Sequence, residues 1–404
     1  MDFSQLSPVS PAPEASESAV FLEGPGSVDV DRLRDALSRT ITRETRIGED
    51  VAALVVSTSG STGRPKRTVL SAGALRASGL ATETATGTDG GAHWLLALPV
   101  HYVAGAQVVA RSVLAATRPA VTASVQDGGR FTARDFLDAA NRLPSGHRMT
   151  SLVPTQLHTL MEDAEADAAA LGNEILEALR SFDAILLGGA PASAALLRHC
   201  EELGIPLVQT YGSAETAGGC VYDNRPLPGT RVAVEPGTDP SAPGRIWLGG
   251  STVASGYLGD PERTASSFRR SPDGTWWYRT DDLGTFSDHD GLSVAGRTDD
   301  VILTGGIKVS ARAVAAVLEQ DPSVREAVVV GVESPRWGQE VRAAVSRRPH
   351  REPDVTSLVD RVRQDLGRAA APKTIRVLDR LPQTSTGKPD RAEVHRLLAP
   401  DDVK

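Results

Sequence analysis

The chain has little cysteine, few aromatic residues and no excess of positive charge. Its 404 residues include two cysteines, Cys200 and Cys220, which are too few for a disulfide framework or a cysteine-based zinc site. With 43 Lys and Arg against 51 Asp and Glu the net charge is −8, whereas a general nucleic-acid-binding surface needs an excess of basic residues. These shortages exclude a disulfide-stapled domain and a general nucleic-acid binder, but not a local anion site.

A long uninterrupted apolar segment is also lacking. The longest apolar stretch, residues 94–116, contains His101, Gln107 and Arg111 and would make a poor membrane span. The first basic residue is Arg32, so the start of the chain lacks the positive charge of a signal peptide. We therefore expect a cytoplasmic protein with no membrane span and no nucleic-acid partner.

Lysine is rare as well, because arginine supplies nearly all of the positive charge. Only five of the 43 basic residues are lysines. Two of them, Lys66 and Lys388, lie in segments rich in Gly, Pro, Ser and Thr. A lysine retained against this background favours a role that needs a compact ammonium group on a flexible side chain. Both lysines are therefore candidate site residues.

The distribution of apolar segments predicts an α/β protein with more than one domain. Residues 182–211 contain an apolar run, a helix-like pattern and a second apolar run, which predicts a βαβ unit with parallel strands. Residues 51–56 form a short apolar run before a Ser/Gly cluster, which indicates a buried strand entering a loop. We expect a flexible lead-in over residues 1–20, a large domain over residues 21–296 and a small α+β domain over residues 297–404.

The first chemical signal is the segment STSGSTGRPKR at residues 57–67. Small residues let backbone N–H groups approach an oxyanion, hydroxyl groups add donors, and Lys66 adds charge, which suits a triphosphate. The segment is not a Walker P-loop, because Lys66 is flanked by Pro65 and Arg67 rather than by Gly and Ser or Thr. The alternative is a flexible polar turn.

A second signal, QTYGSAETAGG at residues 209–219, follows a predicted strand. In open α/β sheets ligands bind beyond the carboxyl ends of the strands. There Tyr211 offers a face for stacking on a base, Glu215 is a candidate Mg²⁺ ligand, and Thr216 is a candidate phosphate contact. The alternative is a turn followed by a helix N-cap.

Two Asp/Arg segments and a late lysine complete the candidate set. Residues 278–284 read YRTDDLG and residues 296–300 read GRTDD. A carboxylate can accept two hydrogen bonds from a ribose diol and arginine can add donors, whereas surface salt bridges are the alternative. Residues 382–388, PQTSTGK, either form a mobile loop that carries Lys388 into a site or leave it as an exposed lysine.

Taken in this order, the five segments resemble those of the adenylate-forming acyl/aryl-CoA synthetases, a family related to peptide-synthetase adenylation domains and to luciferase. The resemblance extends from about Val51 to Arg391. Within the family, residues 94–115, 145–157 and 210–229 most resemble the o-succinylbenzoate–CoA ligases of menaquinone biosynthesis. The resemblance implies an α/β fold with a large multi-subdomain N-terminal domain and a small mobile α+β C-terminal domain. It also implies two half-reactions that use ATP, Mg²⁺, a small-molecule carboxylate and CoA.

The resemblance also implies a role for individual residues. Lys388 matches the lysine that bridges the carboxylate and the α-phosphate, Glu215 the Mg²⁺ ligand and Thr216 an adjacent phosphate contact. The phosphate-loop positions are Ser57, Thr58, Ser59, Gly60, Ser61, Thr62, Gly63 and Lys66. The adenine and ribose positions are Gly188, Gly189, Ala190, Pro191, Tyr211, Gly212, Asp282 and Arg297.

Further positions concern the acid and the movement of the small domain. His101 matches a gate beside the acid pocket, with a core histidine as the alternative, and Asp299 matches the hinge. Arg148 is a candidate partner for a second carboxylate, with a surface arginine as the alternative. The remaining acid-pocket positions are Ser151, Thr155, Gln156 and Ser213. The roles of Arg67, Asp281 and Lys308 stay open.

Three functions are compatible with this sequence. The first is a ligase that joins o-succinylbenzoate to CoA through an acyl-adenylate. The second is a CoA ligase for another acid, or an enzyme that passes its adenylate to a carrier-protein thiol. The third is a non-catalytic nucleotide-binding regulator. The oligomeric state, a homodimer included, is left open.

Overall fold

The computed structural model describes residues 1–42, 50–58, 66–88, 90–166, 170–237, 242–384 and 389–399. The strands are β1 (Ser7–Pro8), β2 (Val20–Leu22), β3 (Ala52–Thr58), β4 (Lys66–Ser71), β5 (His93–Leu96), β6 (Ala120–Val121), β7 (Arg148–Leu152), β8 (Ala184–Leu187), β9 (Leu207–Ser213), β10 (Gly218–Tyr222), β11 (Arg225–Pro226), β12 (Thr230–Glu235), β13 (Gly244–Gly250), β14 (Gly256–Tyr257), β15 (Phe268–Arg270), β16 (Trp276–Ser287), β17 (Gly291–Arg297), β18 (Val301–Thr304), β19 (Ile307–Ser310), β20 (Val324–Ser334), β21 (Gly338–Arg347) and β22 (Thr374–Leu378).

The helices are α1 (Val30–Thr40), α2 (Ala72–Thr86), α3 (Val103–Leu114), α4 (Ala123–Gln126), α5 (Ala133–Ala140), α6 (Pro154–Ala166), α7 (Leu171–Arg180), α8 (Ala194–Glu202), α9 (Pro261–Ser267), α10 (Ala311–Leu318), α11 (Val355–Leu366) and α12 (Arg391–Leu398). Short 3₁₀ turns lie at Phe3–Gln5, Ala214–Thr216 and Thr298–Asp300. Within the described ranges, no helix has both the length and the apolar character that crossing a membrane requires.

The central sheet has the strand order β11–β10–β9–β8–β7–β5–β6. Its strands from β9 to β6 are parallel, and β10 and β11 extend it antiparallel. Alternate side chains enter different cores: Leu95 and Ile185 pack with helices α5, α6 and α7, whereas Trp94 and Leu186 pack with α2 and α3. Burial on both faces explains the continuous apolar runs of these strands. The predicted βαβ unit at residues 182–211 is confirmed as β8–α8–β9.

Two smaller sheets flank the central one. The first, ordered β14–β4–β3–β2, contains the antiparallel β3–β4 hairpin in which Thr58 pairs with Lys66. The second is antiparallel, ordered β1–β15–β16–β13–β12, with β17 beside β16. The predicted strand at residues 51–56 is confirmed as β3. These sheets carry the candidate phosphate and ribose residues to the central sheet.

The last sheet is formed by the strands from β18, which begins at Val301, onward. Its order is β19–β18–β21–β20, with β22 parallel to β21. Helices α10 and α11 cover one core cluster and α12 covers another. An ion pair joins this part to the central unit, since Nε of Arg325 in β20 lies 2.8 Å from Oε1 of Glu162 in α6. The α/β prediction, with a large N-terminal and a small C-terminal domain, is confirmed.

The start of the chain differs from the predicted flexible lead-in. Residues 1–20 are attached to the large domain by strand pairing between β1 and β15. The backbone N–H of Val9 donates to the carbonyl of Phe268 at 3.2 Å, and the Ser16 hydroxyl donates to the carbonyl of Ala52 at 2.8 Å. The sparse apolar side chains do not predict these contacts, because backbone and hydroxyl groups make them at the open edge of a sheet.

Candidate active site

Several sequence-predicted site positions lie at one edge of the central sheet. Because β5, β7, β8 and β9 are parallel, their carboxyl ends lie at the same edge. His101 lies in the connection after β5, and Gln156 lies at the start of α6 after β7. Residues 188–191 follow β8, and residues 211–216 end β9 and form the 3₁₀ turn. Four loops therefore converge where an α/β sheet binds ligands.

Close backbone approach requires glycine at two of these positions. A Cβ on Gly188 would lie 2.3 Å from the hydroxyl oxygen of Thr210. A Cβ on Gly212 would lie 2.1 Å from the carbonyl oxygen of Gly218, across the β9–β10 pair. Both glycines keep the edge of the sheet tightly packed below the predicted adenine site.

Thr216 has its hydroxyl inside the turn, which contradicts its predicted phosphate contact. The hydroxyl is fully buried, accepts a hydrogen bond from the backbone N–H of Ser213 at 2.9 Å and donates to the carbonyl of Gly218 at 2.8 Å. The Ser213 hydroxyl in turn accepts from the backbone N–H of Glu215 at 3.2 Å. This reciprocal capping satisfies polar groups of the turn, so Thr216 shapes the loop from within.

The residue after the turn has an unusual backbone conformation. Ala217 has φ +51°, which is uncommon for a residue with a Cβ. Its carbonyl accepts hydrogen bonds from the Ser78 hydroxyl at 3.0 Å and from Nε2 of Gln107 at 2.5 Å. Both donors are buried. Helices α2 and α3 thus hold the strained end of the loop that carries Glu215.

Glu215 is a buried carboxylate with a neutral neighbour. It is 5% exposed, and its Oε1 accepts a 2.9 Å hydrogen bond from the hydroxyl of Tyr257. A neutral hydroxyl cancels none of the negative charge, and a buried carboxylate favours a cation beside it. No cluster of three or more His, Cys, Asp or Glu that could hold a metal occurs among the described residues. A single carboxylate fits Mg²⁺ bound together with phosphates, because that ion keeps waters and phosphate oxygens as its other ligands.

The candidate ribose residues form a second cluster. The Tyr211 hydroxyl donates to Oδ2 of Asp282 at 2.6 Å, and Nη1 of Arg297 lies 3.5 Å from Oδ1 of the same carboxylate. Burial raises the pKa of Asp282, and the hydrogen bond from Tyr211 and the charge of Arg297 oppose that rise. Two carboxylate oxygens held in this way are suited to a diol.

Arg297 joins this cluster to the candidate hinge. Its Nε donates to Oδ1 of Asp299 at 2.8 Å, and its Nη2 lies 3.6 Å from Oδ2 of Asp281. Burial lowers the pKa of Arg297, but the hydrogen bond with Asp299 and the three carboxylates outweigh burial and raise it. Asp281 also pairs with Arg245 at 3.1 Å, so it belongs to an ion-pair network.

His101 is held in an apolar position beside the edge of the sheet. Its side chain is buried, and its ring centroid lies 4.0 Å from that of Tyr102. Burial lowers its pKa, which favours the neutral imidazole. Its Nε2 is buried and has no hydrogen-bond partner among the residues that the structure describes. A substrate could therefore use this nitrogen.

Two family profiles match the chain. Residues 5–258 match the family described as AMP-binding enzyme, and residues 313–388 match the AMP-binding enzyme C-terminal domain. The chain belongs to the AMP-binding enzyme family. It has the fold of adenylate-forming enzymes.

Individual relatives of this AMP-binding enzyme carry more specific names. The probable 2-succinylbenzoate–CoA ligase of Mycobacterium tuberculosis H37Rv is 40% identical over 364 residues, covering 88% of this chain and 87% of the relative. The o-succinylbenzoate–CoA synthetase of Bacillus subtilis, solved with its acyl-adenylate intermediate, is 29% identical with a TM-score of 0.70, covering 86% of this chain and 70% of that one. An amide bond synthetase from Marinactinospora thermotolerans is 30% identical with a TM-score of 0.72, covering 88% and 71%.

Arg148 is not near the site, which contradicts its predicted contact with a second carboxylate. It begins β7, whereas the site lies at the carboxyl end of that strand, about 13 Å away for five residues. Its Nη2 donates to the carbonyl of Ala140 at 2.5 Å, and its guanidinium lies 5.5 Å from the ring centroid of Phe182. Arg148 therefore anchors the opposite end of the sheet.

Three other candidate acid-pocket residues lie near the carboxyl end of β7 and the start of α6. Ser151 is buried in β7, and Thr155 is half-buried in the first turn of α6. The Gln156 side chain donates to the carbonyl of Ala97 at 2.7 Å and accepts from the backbone N–H of Val153 at 3.2 Å. Gln156 thus ties two loops of the pocket together.

Some predicted site residues are outside the described part of the chain. Three phosphate-loop residues are described: Ser57 and Thr58 end β3, and Lys66 begins β4. The residues outside it are Ser59, Gly60, Ser61, Thr62, Gly63 and Lys388.

Two aromatic residues that the structure adds as candidates, Tyr257 and Trp337, are not indicated by the sequence motifs. Tyr257 contacts Glu215 from 42 positions along the chain, and a contact of that range leaves no local signal. Trp337 is 38% exposed in the small domain, with the guanidinium of Arg336 4.8 Å from its ring centroid. The signal that could have found Trp337 was a tryptophan beside an arginine, in the segment PRWG.

Proposed function

We propose that this AMP-binding enzyme joins 2-succinylbenzoate to CoA through an acyl-adenylate, with ATP as the energy source. The proposal rests on the segment 211–216, which carries both a candidate ribose contact and a candidate Mg²⁺ ligand. Tyr211 at one end holds the ribose candidate Asp282, and Glu215 at the other end is the buried carboxylate suited to Mg²⁺. The acid is taken from the relatives, since a 40% identical protein matched over 87% of its length is named for this substrate.

In the first half-reaction a carboxylate oxygen attacks the α-phosphorus of ATP. The P–O bond to pyrophosphate breaks, and the acyl-adenylate remains. Negative charge gathers around phosphorus, so positioned cations contribute most to the rate. Lys388 and Lys66 supply such charges, and Asp282 and Arg297 orient the ribose. Mg²⁺, held through Glu215, neutralises phosphate charge when it is bound.

In the second half-reaction the CoA thiolate attacks the acyl carbonyl, and AMP leaves. We propose that the small domain, residues 297–404, turns between the two steps with its hinge at Asp299. Support comes from the 3₁₀ turn Thr298–Asp300, which separates β17 of the large domain from β18 of the last sheet. The separate cores on the two sides of that turn also fit a rigid-body movement.

A patch on the small domain fits the nucleotide part of CoA. Trp337 is exposed between two cations, because Nζ of Lys373 lies 5.8 Å and the guanidinium of Arg336 lies 4.8 Å from its ring centroid. An aromatic face can stack on an adenine while the cations contact its phosphates. Lys308, exposed in β19 of the same sheet, is a further candidate for these phosphates.

His101 and the pocket behind it are assigned to the acid. The unpartnered Nε2 of His101 and the buried Ser151 support a binding site after β5 and β7. Thr155 and Ser213, both half-buried at the same edge, complete the proposed lining. With Arg148 excluded, the group that contacts the second carboxylate is not assigned to a residue.

The test is product identification with alternative acceptors. The enzyme is incubated with ATP, Mg²⁺ and 2-succinylbenzoate plus CoA, a carrier protein or a simple amine, and products are separated by mass spectrometry. We expect the CoA thioester with CoA alone. A carrier-bound product in its place would favour the second candidate. An amide product would instead favour the activity for which the similar amide bond synthetase is named. Because ATP and CoA are cytoplasmic metabolites, we propose a cytoplasmic location.

A further inference from the structure

We propose that Tyr257 is a positioning residue that joins the Mg²⁺ candidate Glu215 to the phosphate candidate Lys66 and so sets the metal affinity of the nucleotide site. The hydroxyl of Tyr257 contacts the carboxylate, and its ring lies beneath the ammonium group. One buried side chain therefore touches both charges that would face Mg²⁺–ATP. This inference rests on the proposed function, because it assigns Glu215 and Lys66 to that ligand.

The backbone around Tyr257 is fixed on two sides. Strand β14 pairs with β4, so that Tyr257 lies opposite Thr68, two residues after Lys66. The backbone N–H of Tyr257 donates to the Thr264 hydroxyl at 3.0 Å, and the same hydroxyl donates to the Tyr257 carbonyl at 3.3 Å. Thr264 is fully buried. The ring therefore starts from a rigid position relative to the phosphate hairpin.

The ring itself has little freedom. Tyr257 is 1% exposed, and its ring packs edge-on against Phe268 with centroids 5.2 Å apart. A buried, packed tyrosine loses little further entropy when its hydroxyl forms a hydrogen bond. This rigidity lets the hydroxyl fix the rotation of the Glu215 carboxylate before a metal arrives, as outer partners of metal ligands do.

The hydroxyl and the ring of Tyr257 contact different charged groups. The single hydroxyl proton is given to Oε1 of Glu215 at 2.9 Å. The ring face receives Nζ of Lys66, which lies 5.7 Å from the centroid, within the range of a cation–π contact. Removing the hydroxyl should disturb the carboxylate and leave the lysine in place, whereas removing the ring should disturb both the carboxylate and the lysine.

The chain offers a matched control in Tyr222. That residue is also a buried tyrosine, 6% exposed, with a hydrogen bond of 2.9 Å between its hydroxyl and that of Thr82. It does not contact Glu215 or Lys66. Tyr222→Phe thus removes a buried, hydrogen-bonded hydroxyl without touching the proposed link.

The experiment measures binding directly, with Mn²⁺ as the spectroscopic probe in place of Mg²⁺. Electron paramagnetic resonance gives the affinity for Mn²⁺ in the presence of ATP, and calorimetry gives the affinity for ATP without metal. For Tyr257→Phe we expect Mn²⁺ affinity to fall about tenfold, the effect of one hydrogen bond to a charged group, with metal-free ATP affinity unchanged. Tyr257→Leu should weaken both affinities, and Tyr222→Phe neither.

The outcomes separate this inference from the function on which it rests. If the wild-type protein binds Mn²⁺–ATP and the Tyr257→Phe variant binds Mn²⁺ with the same affinity, the positioning role is wrong. The proposed function would not be affected by that result. An equal loss of metal-free ATP affinity in Tyr257→Phe would also overturn it, because that pattern indicates a general packing defect. A wild-type protein that binds no Mn²⁺–ATP would instead overturn the proposed function.

Discussion

The hydroxyl of Tyr211 and Oδ2 of Asp282 are 2.6 Å apart and join the end of β9 to the middle of β16. The bond links the central sheet to a neighbouring antiparallel sheet at the point where the ribose is proposed to bind. The hydrogen bond uses Oδ2 of Asp282, and the other oxygen, Oδ1, lies 3.5 Å from Nη1 of Arg297. The carboxylate of Asp282, the candidate ribose ligand, is therefore held from two sides.

Tyr211→Phe should weaken ATP binding and shift its pH dependence. Burial already raises the pKa of Asp282, and loss of the tyrosine donor should raise it further, because that donor stabilises the charged form. Binding of the ribose hydroxyls requires the ionised carboxylate. As the pH is lowered, the variant should therefore lose ATP affinity at a higher pH than the wild type does. We expect KM for ATP to rise about tenfold near pH 7 with kcat little changed. A pH series of pyrophosphate release checks this, and an unshifted profile would contradict it.

Lys388→Ala should abolish adenylation and largely spare thioester formation from supplied acyl-adenylate. The proposed role of Lys388 in adenylation rests on the resemblance of PQTSTGK to the catalytic-lysine loop of the family. One charge about 4 Å from the reacting phosphate contributes roughly 4 kcal/mol at an effective dielectric near 20, or about a thousandfold in rate. Separate assays of the two half-reactions check this, with Lys404→Ala as a control. Equal loss in both steps would refute a role confined to adenylation.

Asp299→Pro should impair the second half-reaction more than the first. Proline disfavours the helical conformation of the residue before it, and Thr298 begins the 3₁₀ turn between the domains. We expect thioester formation to fall at least about tenfold while adenylation continues. Asp299→Asn is the control, since it keeps the backbone and weakens only the contact with Arg297. Normal turnover with CoA in the proline variant would place the hinge elsewhere.

Trp337→Ala should raise KM for CoA and leave CoA-independent pyrophosphate exchange unchanged. Stacking of a base on an aromatic side chain is worth about 1–3 kcal/mol, which corresponds to a rise of about tenfold or more. Phe21→Ala removes an aromatic residue of similar exposure, 37% against 38%, and serves as the control. If KM for CoA stayed the same, the patch around Trp337 would have no part in CoA binding.

Local patterns predicted the elements of the central sheet well. The run FDAILLGGA and the helix pattern after it correspond to β8 and α8, and burial on both faces of β8 gives it a continuous apolar signature. The run IPLVQTY corresponds to β9, whose residues are half-buried or exposed. The segment ending β9 could be recognised because a segment that follows a parallel strand lies at the ligand edge of the sheet.

The residues that the sequence placed wrongly or did not indicate have separate causes. Arg148 and Ser151 are three positions apart, yet only the second lies toward the carboxyl end of β7, and the sequence does not reveal where that strand begins. Thr216 has a hydroxyl suited to phosphate, but capping of its own turn uses that hydroxyl first. Tyr257 acts through a contact across two sheets, which no local pattern can predict.

The most direct test of the account is acid selectivity. Pyrophosphate release is measured with ATP, Mg²⁺ and CoA, comparing 2-succinylbenzoate with benzoate, salicylate, 4-coumarate and a medium-chain fatty acid. The account predicts release with 2-succinylbenzoate at least about a hundredfold faster in kcat/KM than with any monocarboxylate, since recognition of a second charged group is worth several kcal/mol. Equal or faster release with a monocarboxylate would contradict the proposed substrate.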